Sequence, residues 1–322
     1  MNADVSSVAS SADAPRENSE DMPLREKPPV ALVLGGATGM LGQALTRAAA
    51  AKGWDVHTLG REDGPVTDPA FLEDALSRMN PDYIFNGIAY TAVDLAESEK
   101  ERACALNRAF PALLGGMTRG SGAHLIHFST DFVFNGKKRA PYTEDDAADP
   151  LNVYGASKLA GEQALAALDM PNCCVVRTAW LFGPGRRNFV SVMLDMARDE
   201  DTKRTITVVH DQVGSPTYTV DLAAMSLALA VKRASGIVHA VNTGQASWCE
   251  LASEAVGLVK PDARIQPISS EQWPQKARRP SYSVLSTARL TELTGMVPRP
   301  WPQALRDYVF GMYASETPGK TS

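Results

Sequence analysis

Tyr154 and Lys158 stand four residues apart in "NVYGASKLAGEQAL", residues 152–165. Positions four apart on an α-helix share a face, so a phenol and an ammonium can reach one cleft. An ordinary phenol, with a pKa near 10, is too weak an acid for efficient proton transfer near neutrality. A neighbouring ammonium favours the phenolate and lowers that value. The pair therefore has the chemistry of a carbonyl reductase, with Tyr154 as proton donor and Lys158 as its partner. Taken alone it is a weak motif, because the same spacing occurs in any amphipathic helix with a solvated lysine. On this helix Leu159 and Leu165 are expected to pack and Glu162 to be solvated.

Two further stretches supply the rest of a site. "HFSTDFVF" (127–134) reads as a strand ending in Ser129-Thr130-Asp131. Hydroxyls and a carboxylate thus emerge at the carboxyl edge of a sheet, where doubly wound folds bind ligands. A Thr130 hydroxyl there can hydrogen-bond the carbonyl oxygen that Tyr154 protonates. The second stretch, "VALVLGGATGMLGQAL", carries Gly36-x-x-Gly39-x-x-Gly42 between an apolar strand and a helix. Such glycines permit a tight turn and let the backbone approach a pyrophosphate at a helix N-terminus. About twenty residues on, "LGRED" offers Arg61 to clamp an adenosine 2′-phosphate, or Glu62 or Asp63 to hold a ribose hydroxyl. NADPH is the expected cofactor, with NADH the alternative.

The elements that must position these residues alternate along the chain. Apolar runs at "VALVL", "WDVHTLG", "DYIFNGIA", "HLIHFST" and "CCVVRTAWLFG" read as strands, with helical patterns between them. Pro111 marks a turn or kink in the helix over 101–122. The fold expected is α/β, a doubly wound parallel sheet of the Rossmann type with a smaller C-terminal substrate-binding lobe. A disordered leader is expected over 1–28 and a dinucleotide-binding domain over 29–183. A returning segment is expected near 219–246, with "GIVHAVNTG" (236–244) rejoining the sheet. The lobe is assigned to 184–218 and 247–316.

Composition narrows the function classes. The 322-residue chain carries a net charge of −5 and no basic block, which argues against a nucleic-acid or anionic-membrane surface. No apolar run is long enough to span a bilayer, and residues 1–28 lack the apolar region of a secretory signal. Cytoplasmic localisation is expected. The four cysteines show neither C-x-x-C spacing nor a disulfide ladder. His124 and His127 fall in a buried strand and read as structural. The remaining histidines show no metal-ligand spacing. Trp248, Trp273 and Trp301 read as packing residues.

The chain resembles the extended short-chain dehydrogenase/reductases, and within them the dTDP-4-dehydrorhamnose reductase family. The stretches that carry the resemblance are "GATGMLGQAL", "AYTAVDLAESE", "HFSTDFVFNG", "PYTEDDAADPLNVYGASKLAGE", "RTAWLFG", "NFVSVML", "VVHDQVGSPTYT" and "ARRPSYSVLST". The resemblance implies reduction of dTDP-4-dehydro-L-rhamnose to dTDP-L-rhamnose, with Tyr154, Lys158 and Thr130 catalytic. It implies cofactor binding by Gly36, Thr38, Gly39, Met40, Leu41, Gly42, Arg61, Ala89, Tyr90, Tyr154 and Lys158. Thr130, Asp131, Trp180, Asn188 and Arg279 would meet the nucleotide sugar. Some members of the family bridge subunits through Mg²⁺, so a homodimer and a Mg²⁺ ion are compatible with it, although no cluster of glutamates is evident. Met40, the Gly87-Ile88 pair and Pro65 depart from the family pattern. A dehydratase is disfavoured because Phe132 follows Thr130-Asp131 where such enzymes carry Glu. The alternatives are another nucleotide-sugar reductase or epimerase, and a non-catalytic NADP-binding regulatory subunit resembling the methionine adenosyltransferase β subunit.

Overall fold

A computed structural model describes residues 27–199 and 205–316, so the expected leader lies outside the described residues except for its last two positions. Strands β1 (Val30–Leu34), β2 (Asp55–Leu59), β3 (Tyr83–Asn86), β4 (His124–Thr130) and β5 (Cys173–Thr178) alternate with helices. The helices are α1 (Met40–Ala51), α2 (Pro69–Met79), α3 (Val93–Ala96), α4 (Lys100–Cys104), α5 (Phe110–Thr118) and α6 (Val153–Ala166). Then come β6 (Leu181–Phe182), α7 (Phe189–Arg198), β7 (Ile206–Val209), β8 (Val213–Gly214), β9 (Thr217–Tyr218) and α8 (Thr219–Val231). The chain closes with β10 (Gly236–His239), β11 (Ala246–Ser247), α9 (Trp248–Gly257), β12 (Ile265–Ile268), α10 (Ala288–Thr294) and α11 (Trp301–Glu316).

The main sheet is parallel throughout, in the order β2-β1-β3-β4-β5-β10. The strand expected to return near 236 does so, with Val238 beside Val176. The order reverses between β1 and β3, and ligands bind at such a switch point beyond the strands' carboxyl ends. Among the described residues no strand pairs on the far side of β2, where "REDGPVTDP" carries Gly64, Pro65 and Pro69.

Strand alternation sorts the core into two layers. Ala31, Val33, Ile126, Phe128, Cys174 and Val176 face α1 and α8 in one cluster. Leu32, Leu34, Leu125, Cys173 and Val175 meet Leu72 of α2, Phe110 and Leu114 of α5 and Leu165 of α6 in the other. The C-terminal lobe has its own apolar centre around Phe182, Leu194, Leu251, Trp301 and Leu305. Among the described residues no helix is long and apolar enough to cross a membrane.

Three local expectations change. The strand predicted through "CCVVRTAWLFG" is two, β5 and β6, because Trp180 adopts φ 47° and turns the chain between them. The long helix before β4 does not simply kink at Pro111. Ala105–Ala109 forms a turn of π-helix, and Pro111 sits in the first turn of the helix that resumes. Proline is at home there, where its missing N–H has no intrahelical role.

The third concerns Glu162, expected in solvent. It is 3% exposed and forms a two-pronged pair with Arg177 of β5, also 3% exposed, at 2.6–3.2 Å. Ser129 of β4 donates a further hydrogen bond to the same carboxylate. Leu159 and Leu165 pack as expected. Breaking a buried pair leaves an uncompensated charge and costs about 3–5 kcal/mol. Glu162→Ala is therefore expected to lower the unfolding free energy by about that amount, measured by urea denaturation of the full chain. A loss below about 1 kcal/mol would show that Arg177 finds another partner.

Candidate active site

The glycine turn follows β1 and opens α1 as predicted. A Cβ at Gly39 would lie 2.7 Å from the Gly35 carbonyl oxygen, one at Gly42 would strike the same atom, and one at Gly36 would lie 2.6 Å from Thr58 Cγ2. Gly39 is the N-cap and makes no side-chain cap, and the first turn of α1 holds no acidic residue. The amides of Met40, Leu41 and Gly42 have no intrahelical acceptor by helix geometry. An uncapped, unscreened helix N-terminus behind a turn too tight for a side chain fits a dinucleotide pyrophosphate. Thr38 lies exposed at the rim of this turn. At the end of β2, Asp63 is spent on closing a turn through the Gly60 amide at 2.8 Å. Arg61 and Glu62 remain exposed there.

Across the switch point, β4 delivers Thr130 and α6 delivers Tyr154 and Lys158. Asn152 caps α6, accepting from the Gly155 amide at 2.7 Å. Tyr154 lies in the first turn of α6, partly exposed, with its ring edge-on to Phe132. The Thr130 hydroxyl lies beside the Tyr154 phenol and favours its phenolate, but burial outweighs it and pushes the phenol up to about 12. The sequence argument had Lys158 lowering that value. Instead the 2% exposed Lys158 directs Nζ to the Phe128 carbonyl at 2.5 Å, beside His127 Nε2 at 3.5 Å. Burial lowers Lys158 itself to about 8, opposed by the nearby Glu162 charge. At neutral pH Tyr154 is thus the protonated form, which is the form a reduction requires.

Several contributors were not legible as site residues. Asn107, fully buried in the π-turn, accepts from the Tyr90 amide at 2.8 Å and donates to the Tyr90 carbonyl at 3.0 Å and Ser157 Oγ at 2.9 Å. It thereby fixes the Ala89-Tyr90 loop against the catalytic helix. Tyr90 also donates to Glu99 at 3.1 Å. The only sequence signal was a polar residue in an apolar helix one turn before a proline.

The expected sugar-binding residues are mostly engaged with protein. Asp131 is 2% exposed and accepts from Ser283 at 2.6 Å and Thr130 at 3.1 Å, and its carboxyl is raised by burial to about 6. The Arg279 guanidinium grips Asp94 at 2.8 Å and 3.1 Å, which holds the Asp94 carboxyl down at about 2. Asn152 donates to the Arg278 carbonyl at 2.8 Å. Residues 276–283 are thus strapped to the dinucleotide-binding half beside Tyr154. Asn188 caps α7 through a capping box and spends its amide on the Gly183 and Arg186 carbonyls and Tyr308. Trp180 is half-buried and stacks flat on Trp248, ring centroids 3.6 Å apart. Trp248 and Trp301 pack as expected, whereas Trp273 is 48% exposed.

Known proteins are similar to this chain over most of its length. Residues 30–313 match the family described as "RmlD substrate binding domain". The chain belongs to the RmlD family. A dTDP-4-dehydrorhamnose reductase of Mycolicibacterium smegmatis is 42% identical over 295 residues, covering 89% of this chain and 88% of that protein. A probable dTDP-4,6-dihydroxy-2-methyloxan-3-one 4-ketoreductase of Streptomyces antibioticus is 40% identical over 290 residues, covering 89% and 97%. Among solved structures, the dTDP-4-dehydrorhamnose reductase of Bacillus anthracis in complex with NADP superposes with a TM-score of 0.83. It is 31% identical, covering 88% of this chain and 99% of that one. This RmlD-family chain is an oxidoreductase with the extended short-chain dehydrogenase/reductase fold. Among its described residues no group of three or more His, Cys, Asp or Glu side chains could hold a metal ion.

Two outcomes follow from the geometry of this RmlD-family site. Gly42→Ala is expected to weaken NADPH binding at least about tenfold, read by quenching of protein fluorescence, because a Cβ there collides with backbone. Asp131 gives a pH signature. Its folded pKa of about 6 lies above the ordinary 3.8, so its contribution is most favourable below that value and is lost as pH rises through about 6. Relative to wild type, Asp131→Asn is expected to gain about 2 kcal/mol of unfolding free energy between pH 4 and pH 7.5, measured by urea melts. A constant difference across that range would refute the shift.

Proposed function

We propose that the chain is an NADPH-dependent 4-ketoreductase of a dTDP-linked 6-deoxy sugar, converting dTDP-4-dehydro-L-rhamnose to dTDP-L-rhamnose. The observation that carries this reading is the placing of Thr130 and Tyr154 side by side at the carboxyl edge of β4, with the phenol protonated, across the switch point from the uncapped N-terminus of α1.

Gly36, Gly39 and Gly42 with the amides of Met40 and Leu41 would hold the cofactor pyrophosphate. Arg61 would take a 2′-phosphate, with Glu62 beside it able to take a ribose hydroxyl of NADH. Thr38, Ala89 and Tyr90 would flank the bound dinucleotide, and Lys158 would meet its nicotinamide ribose. Bound NADPH supplies the hydride. Tyr154 donates its phenolic proton to the sugar's O4 as charge develops there, and Thr130 holds that oxygen through its hydroxyl. Asp131 and Arg279 would shape the sugar subsite through Ser283 and Asp94, Asn188 would do so through its loop, and Trp180 would border it. The 40% identity to a ketoreductase named for a different dTDP-sugar favours a second reading, a 4-keto sugar other than dehydrorhamnose.

The test is oxidation of NADPH followed at 340 nm with dTDP-4-dehydro-L-rhamnose, comparing wild type with Tyr154→Phe. Turnover is expected to fall about 10²–10⁴-fold in the variant while NADPH affinity changes little. Tight NADPH binding without turnover on any dTDP-4-keto sugar would instead identify a cofactor-binding regulatory subunit.

A further inference from the structure

Trp180 has a backbone that its residue type disfavours. Its φ of 47° lies in the left-handed region, where a Cβ bearing a large ring is strained. Among the described residues the other non-glycine residues with such an angle are Asn80, Asp169 and Arg233, which follow the ends of α2, α6 and α8. Trp180 instead lies between two strands, two residues after Thr178, which stands beside Thr130 in the sheet. A strained residue persists only where its surroundings over-determine it, and such residues gather at functional sites.

Three contacts hold it. The Trp180 carbonyl accepts from the Thr217 amide at 3.1 Å, where the pairing of β6 with β9 begins. One face of the indole lies on Trp248, with ring centroids 3.6 Å apart and planes 3° from parallel. Gly214 closes in on the same ring, since a Cβ there would lie 2.5 Å from Trp180 Cε2. The last two contacts share one origin. Strands β8 and β11 pair antiparallel with Gly214 opposite Ala246, and α9 begins two residues later at Trp248. Phe189 of α7 backs Trp248, with ring centroids 4.6 Å apart. On its other flank β8 meets residues 281–283. The Val213 amide donates to the Ser281 carbonyl at 2.9 Å, and the Val213 carbonyl accepts from the Ser283 amide at 2.8 Å. Ser283 in turn donates to Asp131, the neighbour of Thr130. The elements that cage the indole are therefore tied to the strand end that carries Thr130.

We propose that Trp248 and Gly214 are positioning residues that fix the half-buried Trp180 indole as a wall of the sugar subsite, so that the lobe selects a 6-deoxyhexose through Trp180. The inference rests on the reductase reading above. An indole already locked in place has little freedom left to lose on binding, so its contact with the sugar is made at low entropic cost. Aromatic walls of this kind orient a ligand within a pocket, and the methyl group of a 6-deoxy sugar suits an indole better than a hydroxymethyl does.

The test is calorimetric titration of the full chain, saturated with NADPH, by dTDP-L-rhamnose and separately by dTDP. Cofactor and sugar are then both reduced, so nothing turns over. In Trp248→Leu and in Gly214→Ala the ratio of the dTDP-L-rhamnose affinity to the dTDP affinity is expected to fall about tenfold, the worth of one well-packed aromatic contact. NADPH affinity is expected to stay at the wild-type value. Trp248→Tyr keeps a stacked ring and is expected to recover most of the loss. In a Trp180→Ala background, Trp248→Leu is expected to cost nothing further, as two residues acting through one contact require. A purely structural role would weaken dTDP and NADPH along with the sugar. The proposal is overturned if the ratio is unchanged in whichever variant keeps the wild-type circular dichroism spectrum, or if Trp248→Leu costs the same with and without Trp180. A wild type that binds NADPH but neither dTDP ligand would overturn the reductase reading itself, and this inference with it.

Discussion

Two opposite charges are buried on one face of α6, and the placement of the Tyr154 phenol depends on how each is satisfied. Burying an unpaired ion costs several kcal/mol, so Glu162 and Lys158 admit only packings in which both find partners. Glu162 finds Arg177 and Ser129, from two adjacent strands, and Lys158 finds the Phe128 carbonyl between them. Turning the helix by one residue, about 100°, would strand both groups at once. The helix can lie this close because Gly155 and Gly161 leave room for the carbonyls of Phe132 and Asn107, where any Cβ would collide. Tyr154, one turn before Lys158, is carried to the Thr130 edge as a result.

The other half of the cleft is set by topology rather than by charge. With β1 and β3 adjacent, the connections leaving them diverge to opposite faces of the sheet, and the space between opens above the glycine turn. The uncapped start of α1 lies on one side, and the loop after β3, pinned at Tyr90 by Asn107, lies on the other. Two unrelated constraints, a buried ion pair and a reversal of strand order, therefore lead to one crevice.

Much of this was legible from residue type and spacing. The parallel strands announce themselves as apolar runs, because both faces are covered, and β4 falls on the stretch predicted for it. The glycine turn is readable since backbone collision constrains residue identity directly. What escaped reading depends on partners distant in sequence. Glu162 looks solvated on a helical wheel, and only the pairing of β4 with β5 shows that Arg177 waits opposite it. Asn107 looks like one polar residue in an apolar helix until the π-turn rotates it toward Tyr90 and Ser157. The turn at Trp180 breaks a run that reads as continuous strand, and the ring it turns aside stacks on Trp248, 68 positions away. Asp131 and Arg279 carry side-chain chemistry suited to a sugar, yet each is committed to Ser283 or Asp94.

Those commitments bear on how the two parts of the chain work together. The division near residue 184 follows the order of the chain, but residues 276–283 return to the dinucleotide-binding half at three places. Arg279 is joined to Asp94, the Arg278 carbonyl to the cap of α6, and Ser283 to the residue after Thr130. The bonds differ in durability. Asp94 stays ionised through any moderate pH, and its bidentate partner is permanently charged. Asp131, raised to about 6 by burial, changes its charge within that range, so its bond with Ser283 beside Thr130 is the one whose character depends on pH.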